Sequence, residues 1–210
     1  MPDIALLAAL TLAGQAFAPL VATAPLPAVT TASAADGDGA ACAYEGLSPA
    51  DRENVLARTF ERMMRGADEE ADAPSRARID DAIAGAQASC GRRHGWSAEL
   101  SGLSHEFATL ALARDAFRRM LDARGMSSAF LDAYHGAHRG EFGRAITAPQ
   151  QAAFAAAPET RQWAAADRSG GAIQVAIGYL GVVNELERCQ RSFAVALAQS
   201  RDRPIETAAR

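Results

Sequence analysis

Lysine is missing altogether: all 21 basic residues of this 210-residue chain are arginine. A chain without lysine has no P-loop lysine to clamp a phosphate, no Schiff-base amine and no lysine-borne cofactor. Cysteine is scarce, with three in the chain and no CxxC or CxxCH pattern. That disfavours a thioredoxin-like redox centre and an attached c-type haem. Strand signals are nearly absent. Apolar runs long enough to span a membrane, roughly 20 residues, are missing as well. The apolar N-terminal stretch is broken by Pro19, Pro25 and Pro27, and the run Ala172 to Val183 is too short and contains Gln174.

Charge of one sign is nowhere concentrated enough to suggest nucleic acid as a partner. The net charge is −4. The segment 35–81 carries 12 acids against 6 arginines, and 82–210 carries 12 acids against 15 arginines scattered among them. A nucleic-acid footprint needs its cations clustered on one face.

What is present begins with an address. Ile4 to Ala13 is uncharged and mostly apolar, and Ala32-Ser33-Ala34 supplies the small-x-small pattern of a signal-peptidase site, although Met1-Pro2-Asp3 lacks the usual positive charge. An earlier small-x-small site, Ala16-Phe17-Ala18, is followed by Pro19, a poor residue just after a cleaved bond. The expectation is a signal peptide over 1–34 and a periplasmic or secreted mature protein with no stable membrane span after cleavage. Lipidation at Cys42 is not expected, because Asp36 and Asp38 separate it from the apolar segment.

After the address come a flexible segment over 35–47, a single helical domain over 48–203 and a disordered tail over 204–210. Abundant alanine favours helix. Ser48-Pro49-Ala50-Asp51 is a strong helix opening, with Leu56, Phe60 and Met63 on one face of a helix to about Arg65. Gly66 to Pro74 reads as an acidic, solvated loop, and Ser75 as the cap of a second helix carrying Ile79, Ile83, Ala86 and Cys90. Leu100, Leu103, Phe107, Leu110, Arg114, Phe117 and Leu121 alternate three and four residues apart, the seam of a packed helix. Arg114 in that seam must reach water along its stem or pair with a buried acid. Shorter helices follow from Ser127 or Ser128, from Thr147 with Pro149, and around Trp163. A long final helix runs from about Ala172 to Arg201. The fold class expected is all-α, a single-domain irregular bundle of five or six helices.

Three cysteines in an oxidising compartment allow one disulfide and one odd thiol. Cys42 precedes the first helix and Cys90 lies near the end of the second, so an antiparallel hairpin brings the two together. Cys42–Cys90 is the preferred pair, with Cys42–Cys189 the alternative. Cys189 shares the apolar face of Leu186 and Phe193, where a thiol behaves as a small hydrophobe.

One cluster carries metal-ligating residue types. His135 and His138 are three apart, sharing a helix face, and Glu141 follows one turn on; His105 is a further ligand candidate from the long third helix. A lone His-x-x-His pair is a weak signal, and the Glu-x-x-His of di-iron bundles is absent. His138 is also spaced to pack with Tyr134 and Phe142. Gly102-Leu103-Ser104-His105 resembles the start of a nucleophile elbow but lacks its closing glycine and preceding strand. With no catalytic motif, the expected role is a non-catalytic binding or interaction module for an envelope protein or small ligand, with no cofactor. The alternative is a bundle that binds or senses a transition metal ion through the His-x-x-His pair.

Overall fold

The computed structural model describes residues 39–65, 69–143, 145–167 and 171–202. The expected signal peptide, residues 35–38 and the tail 204–210 lie outside the described residues. The described residues are all-helical, with no strand among them.

Among the described residues eight helices follow one another: α1 (Cys42–Glu45), α2 (Pro49–Arg65), α3 (Glu69–His94), α4 (Ala98–Asp122), α5 (Ala129–Ala137), α6 (Ala148–Ala156), α7 (Pro158–Ala164) and α8 (Ala172–Asp202). The count among the described residues exceeds the five or six expected. α1 is a single turn in the stretch read as flexible. Ala157, held extended ahead of Pro158, divides α6 from α7, because the residue before proline is driven out of the helical region.

The helix ends follow from side-chain and glycine chemistry. Ser48 Oγ accepts from the Asp51 N–H at 3.1 Å and donates to the Asp51 carboxylate at 2.7 Å, while Pro49 has no N–H to leave unpaired. Ser97 Oγ accepts from the Leu100 N–H and opens α4. α3 and α4 both stop at a glycine of positive φ, Gly95 (φ 64) and Gly125 (φ 73). Beyond each, an N–H turns back to a last-turn carbonyl, Trp96 to Gly91 and Met126 to Leu121, the Schellman closure that only glycine makes cheaply.

The acidic stretch expected as a loop is a correction. Glu69 to Pro74 belongs to α3, and Ser75 lies inside that helix instead of capping it.

α4 and α8 form the central pair, and the core divides around them. Val55 and Leu56 of α2 and Ile79 and Ile83 of α3 pack on Ala108, Leu112 and Ala116 of α4. Leu100, Phe107 and Ala111 of α4 meet Leu186, Cys189 and Phe193 of α8. Leu121, Leu131 and Phe154 enclose Ala172, Ala176, Tyr179 and Leu180. Because α4 is clasped from two sides, its buried surface is wider than the single seam expected. Ala108, Ala111, Leu112 and Ala116 are buried, whereas Leu103 and Leu110 are only partly so.

The segment expected to be flexible is, over residues 39–47, a packed strap. Ala40, Ala43 and Leu47 are buried. Ser104 Oγ on α4 donates to the Ala40 carbonyl and accepts from the Ala43 N–H, and the Tyr44 hydroxyl donates to Asp115. The Cys42–Cys90 disulfide then ties the strap to α3, its Cα atoms 6.1 Å apart.

Candidate functional site

α5 carries the predicted histidines, and each has a different occupation. His135 faces inward, 3% exposed. Its ring stacks on Phe142 with centroids 5.7 Å apart, and Nδ1 lies 3.8 Å from Glu187 Oε1 of α8. Nε2 is buried with no hydrogen-bond partner among the described residues. His138 closes α5: its ring stacks on Tyr134 at 4.1 Å, and Nδ1 donates to the Tyr134 carbonyl at 2.9 Å. Glu141 is exposed, and its backbone carbonyl accepts from Gln150 Nε2. His105 on α4 is bonded to Gln87 of α3 at 3.0 Å. Among the described residues no three His, Cys, Asp or Glu side chains gather closely enough to hold a metal ion.

Burial holds the His135 imidazole below its ordinary pKa, against the pull of the Glu187 carboxylate. A histidine whose folded pKa is depressed binds fewer protons folded than unfolded, so its contribution to stability is present above the unfolded value near 6.5 and is lost as pH falls below it. Between pH 7 and 5 the urea midpoint is therefore expected to fall more steeply for the wild type than for His135→Leu. The difference is bounded by about 1.4 kcal/mol per pH unit. Parallel slopes for the two proteins would show that His135 does not carry this dependence.

The residues that resemble nucleophiles are structural. Ser104 is fully buried, with its hydroxyl spent on the strap. Cys189 is buried and free; it donates to the Leu103 carbonyl, and burial pushes its thiol pKa up to about 11. A thiol so rarely ionised at neutral pH is a poor nucleophile.

Several charges along the helices are paired. Arg114 pairs with the adjacent Asp115 through two hydrogen bonds of 2.9 and 2.8 Å, and that acid is partly exposed instead of buried as expected. Arg118 of α4 donates to the Tyr179 hydroxyl of α8, which donates to Asp132 of α5. This three-helix network went unread in the sequence. Its one signal there was a tyrosine inside the otherwise apolar run Ala172 to Val183.

A cleft of about 780 Å³ opens between the strap, the α3–α4 turn and the end of α8. Its aromatic floor is Trp96, which packs edge-on against the buried Phe193 at 5.2 Å and stacks on His94 at 4.9 Å. Arg93 comes from the last turn of α3, Glu99 from the first turn of α4 and Glu45 from the end of α1. Glu45, Arg93 and Glu99 make no side-chain ion pair with any described residue, unlike Arg114, Arg118, Arg139 and Arg188 elsewhere. No family model, curated protein or solved structure matches the chain. The functional reading therefore rests on this geometry.

Sequence reasoning did not single out the cleft, because its walls come from three separate segments. The run Arg92-Arg93-His94-Gly95-Trp96 was the local sign. Cations at a helix C-terminus are explained equally well by the helix dipole.

Proposed function

We propose that the protein is an exported, non-catalytic binding module of the cell envelope, and that the cleft beside Trp96 takes a small zwitterionic ligand, of which a short peptide is the simplest. The observation that carries this reading is the cleft itself. It joins an aromatic floor to carboxylates and a guanidinium that have no partner among the described residues, and its volume is in the range of small-ligand sites. A peptide with free ends offers an ammonium to Glu45 or Glu99, a carboxylate to Arg93 and an apolar side chain to Trp96. The Cys42–Cys90 bond suits an oxidising compartment outside the cytoplasm. No described helix is long and apolar enough to cross a membrane.

The test uses the Trp163→Phe protein, in which Trp96 is the remaining tryptophan, titrated with the tripeptide Ala-Phe-Ala. Saturable quenching is expected. Arg93→Ala and Glu99→Gln should each weaken it about tenfold, the size of one charge-assisted hydrogen bond. No change in emission up to about 10 mM peptide, weaker than any useful affinity, sinks the reading.

A second reading, a transition-metal site, is favoured by the buried, unpartnered Nε2 of His135. Elemental mass spectrometry of natively purified protein tests it. Near-stoichiometric metal that disappears in His135→Ala with His138→Ala supports this reading, and metal-free protein removes it.

A further inference from the structure

The strap that walls the cleft is held by Tyr44, whose ring packs against the core and under Arg52, by the Arg52 hydrogen bonds to the Tyr44 and Glu45 carbonyls, and by few buried side chains. Its buried side chains are two alanines and a leucine, Ala40, Ala43 and Leu47, little apolar area to set against the entropy of ordering nine residues. Its hydrogen bonds to α4 come from Ser104 and through Tyr44. One covalent bond fastens it to the other wall. Cys42 lines the cleft, while Cys90 is only 2% exposed and lies three residues before Arg93 and six before Trp96. The disulfide therefore joins the strap wall of the cleft to the helix that carries Arg93.

Beneath the strap lies apolar surface. A Cβ added at Gly39 would stand 2.8 Å from the Phe193 ring, so backbone covers that ring directly. Ala40 packs in the same cluster as Leu100, Phe107 and Phe193. Withdrawal of the strap uncovers a groove between α4 and α8, and the wall that carries Glu45 goes with it.

We propose that the Cys42–Cys90 bond is a redox latch: oxidised, it holds the strap down and completes the cleft; reduced, it lets residues 39–47 leave α4 and α8 while the helices beneath stay folded. As regulation of a ligand site, this rests on the cleft reading above. The chemistry needs a dithiol of the thiol–disulfide exchange class. One of its thiolates attacks the Cys42 sulfur from the cleft and displaces the Cys90 thiolate. Its second thiol then closes on the mixed disulfide and releases Cys42. Two electrons and two protons pass to the protein, and the dithiol leaves as its own disulfide.

The experiment uses the Cys189→Ser protein, so that no third thiol can exchange, with and without dithiothreitol; thiol counts under denaturant verify each state. Hydrogen exchange is followed at Cys42, Glu45 and Gly46, whose N–H groups bond within the strap. On reduction these amides should exchange about tenfold or more faster, as expected of a local opening. The amides of α4 and α8 should keep their protection, and binding of an apolar dye should rise. Cys42→Ser with Cys90→Ser should match the reduced protein without reductant. Strap amides equally protected in both states overturn the latch. So does loss of the whole helical signal on reduction, which would make the bond a staple of the entire fold. Peptide binding is measured separately on the oxidised protein, so a cleft that binds nothing and a latch that does not open give different results.

Discussion

Phe193→Ala is expected to cost about 3–5 kcal/mol, the range for an aromatic ring removed from a packed core. Phe193 is fully buried and stands where three parts of the molecule meet. It packs with Leu100 and Phe107 of α4, lies under the strap at Gly39, and supports Trp96 edge-on. None of these neighbours fills the space by a simple rotamer change, since one is backbone and the others are held by their own helices. Against a total stability of about 5–15 kcal/mol the loss is severe. It is read as a fall in the urea midpoint with the slope of the transition retained. Phe193→Leu should cost less than half as much, and Trp96 emission should move in both variants. An Ala variant within about 1 kcal/mol of wild type, well below the usual cavity cost, would mean the strap and α8 collapse onto the vacated space.

Arg124→Leu is expected to cost about 1–3 kcal/mol, because it removes a charge-assisted hydrogen bond to a carboxylate held away from water. Arg124, just past α4, donates to Asp167, just past α7, at 3.2 Å, and the Asp167 side chain is 2% exposed. Burial is what separates this pair from the others. Arg119 with Glu53 joins α4 to α2, but its side chains are 39% and 61% exposed, and pairs that open to water contribute about 0–1 kcal/mol. Arg124→Leu combined with Asp167→Asn should regain part of the loss, since the carboxylate that lost the Arg124 hydrogen bond is then neutral. A double variant as unstable as the single one would place the cost in packing at this corner instead of in the ion pair. Thermal or urea unfolding of the four proteins of this cycle measures the coupling directly.

Much of the architecture was legible because helix formation is decided locally. Ser48-Pro49, Thr147-Pro149 and the apolar positions of α8 announce themselves within one or two turns of sequence. The disulfide was legible for a related reason. A hairpin of two successive helices returns the chain to its starting end, and this places Cys90 beside Cys42. Legibility failed where a residue's fate depends on what arrives from elsewhere. Ala40 and Ala43 look like linker, yet they are buried because Ser104, 61 residues beyond Ala43, binds their backbone. Pro74 looks like a break, yet α3 runs through it.

The candidate site divides along the same line. His135 and His138 are conspicuous in sequence through their three-residue spacing. Spacing alone cannot say that one ring is sealed against Phe142 while the other bonds its own helix. The cleft has no sequence signature, because its walls are assembled from the strap, the α3–α4 turn and the end of α8.

By itself the sequence determined the helical class, the absence of lysine-dependent chemistry and the helix-opening signals at Ser48 and Thr147, since these depend on residue type and on contacts within a few residues. Only the tertiary structure decided that the strap is packed, that Arg118 finds Tyr179 and Asp132, and that Glu45, Arg93 and Glu99 surround Trp96. Burial and charge pairing are properties of neighbours brought together across tens of residues, and those neighbours exist only once α4 and α8 have packed.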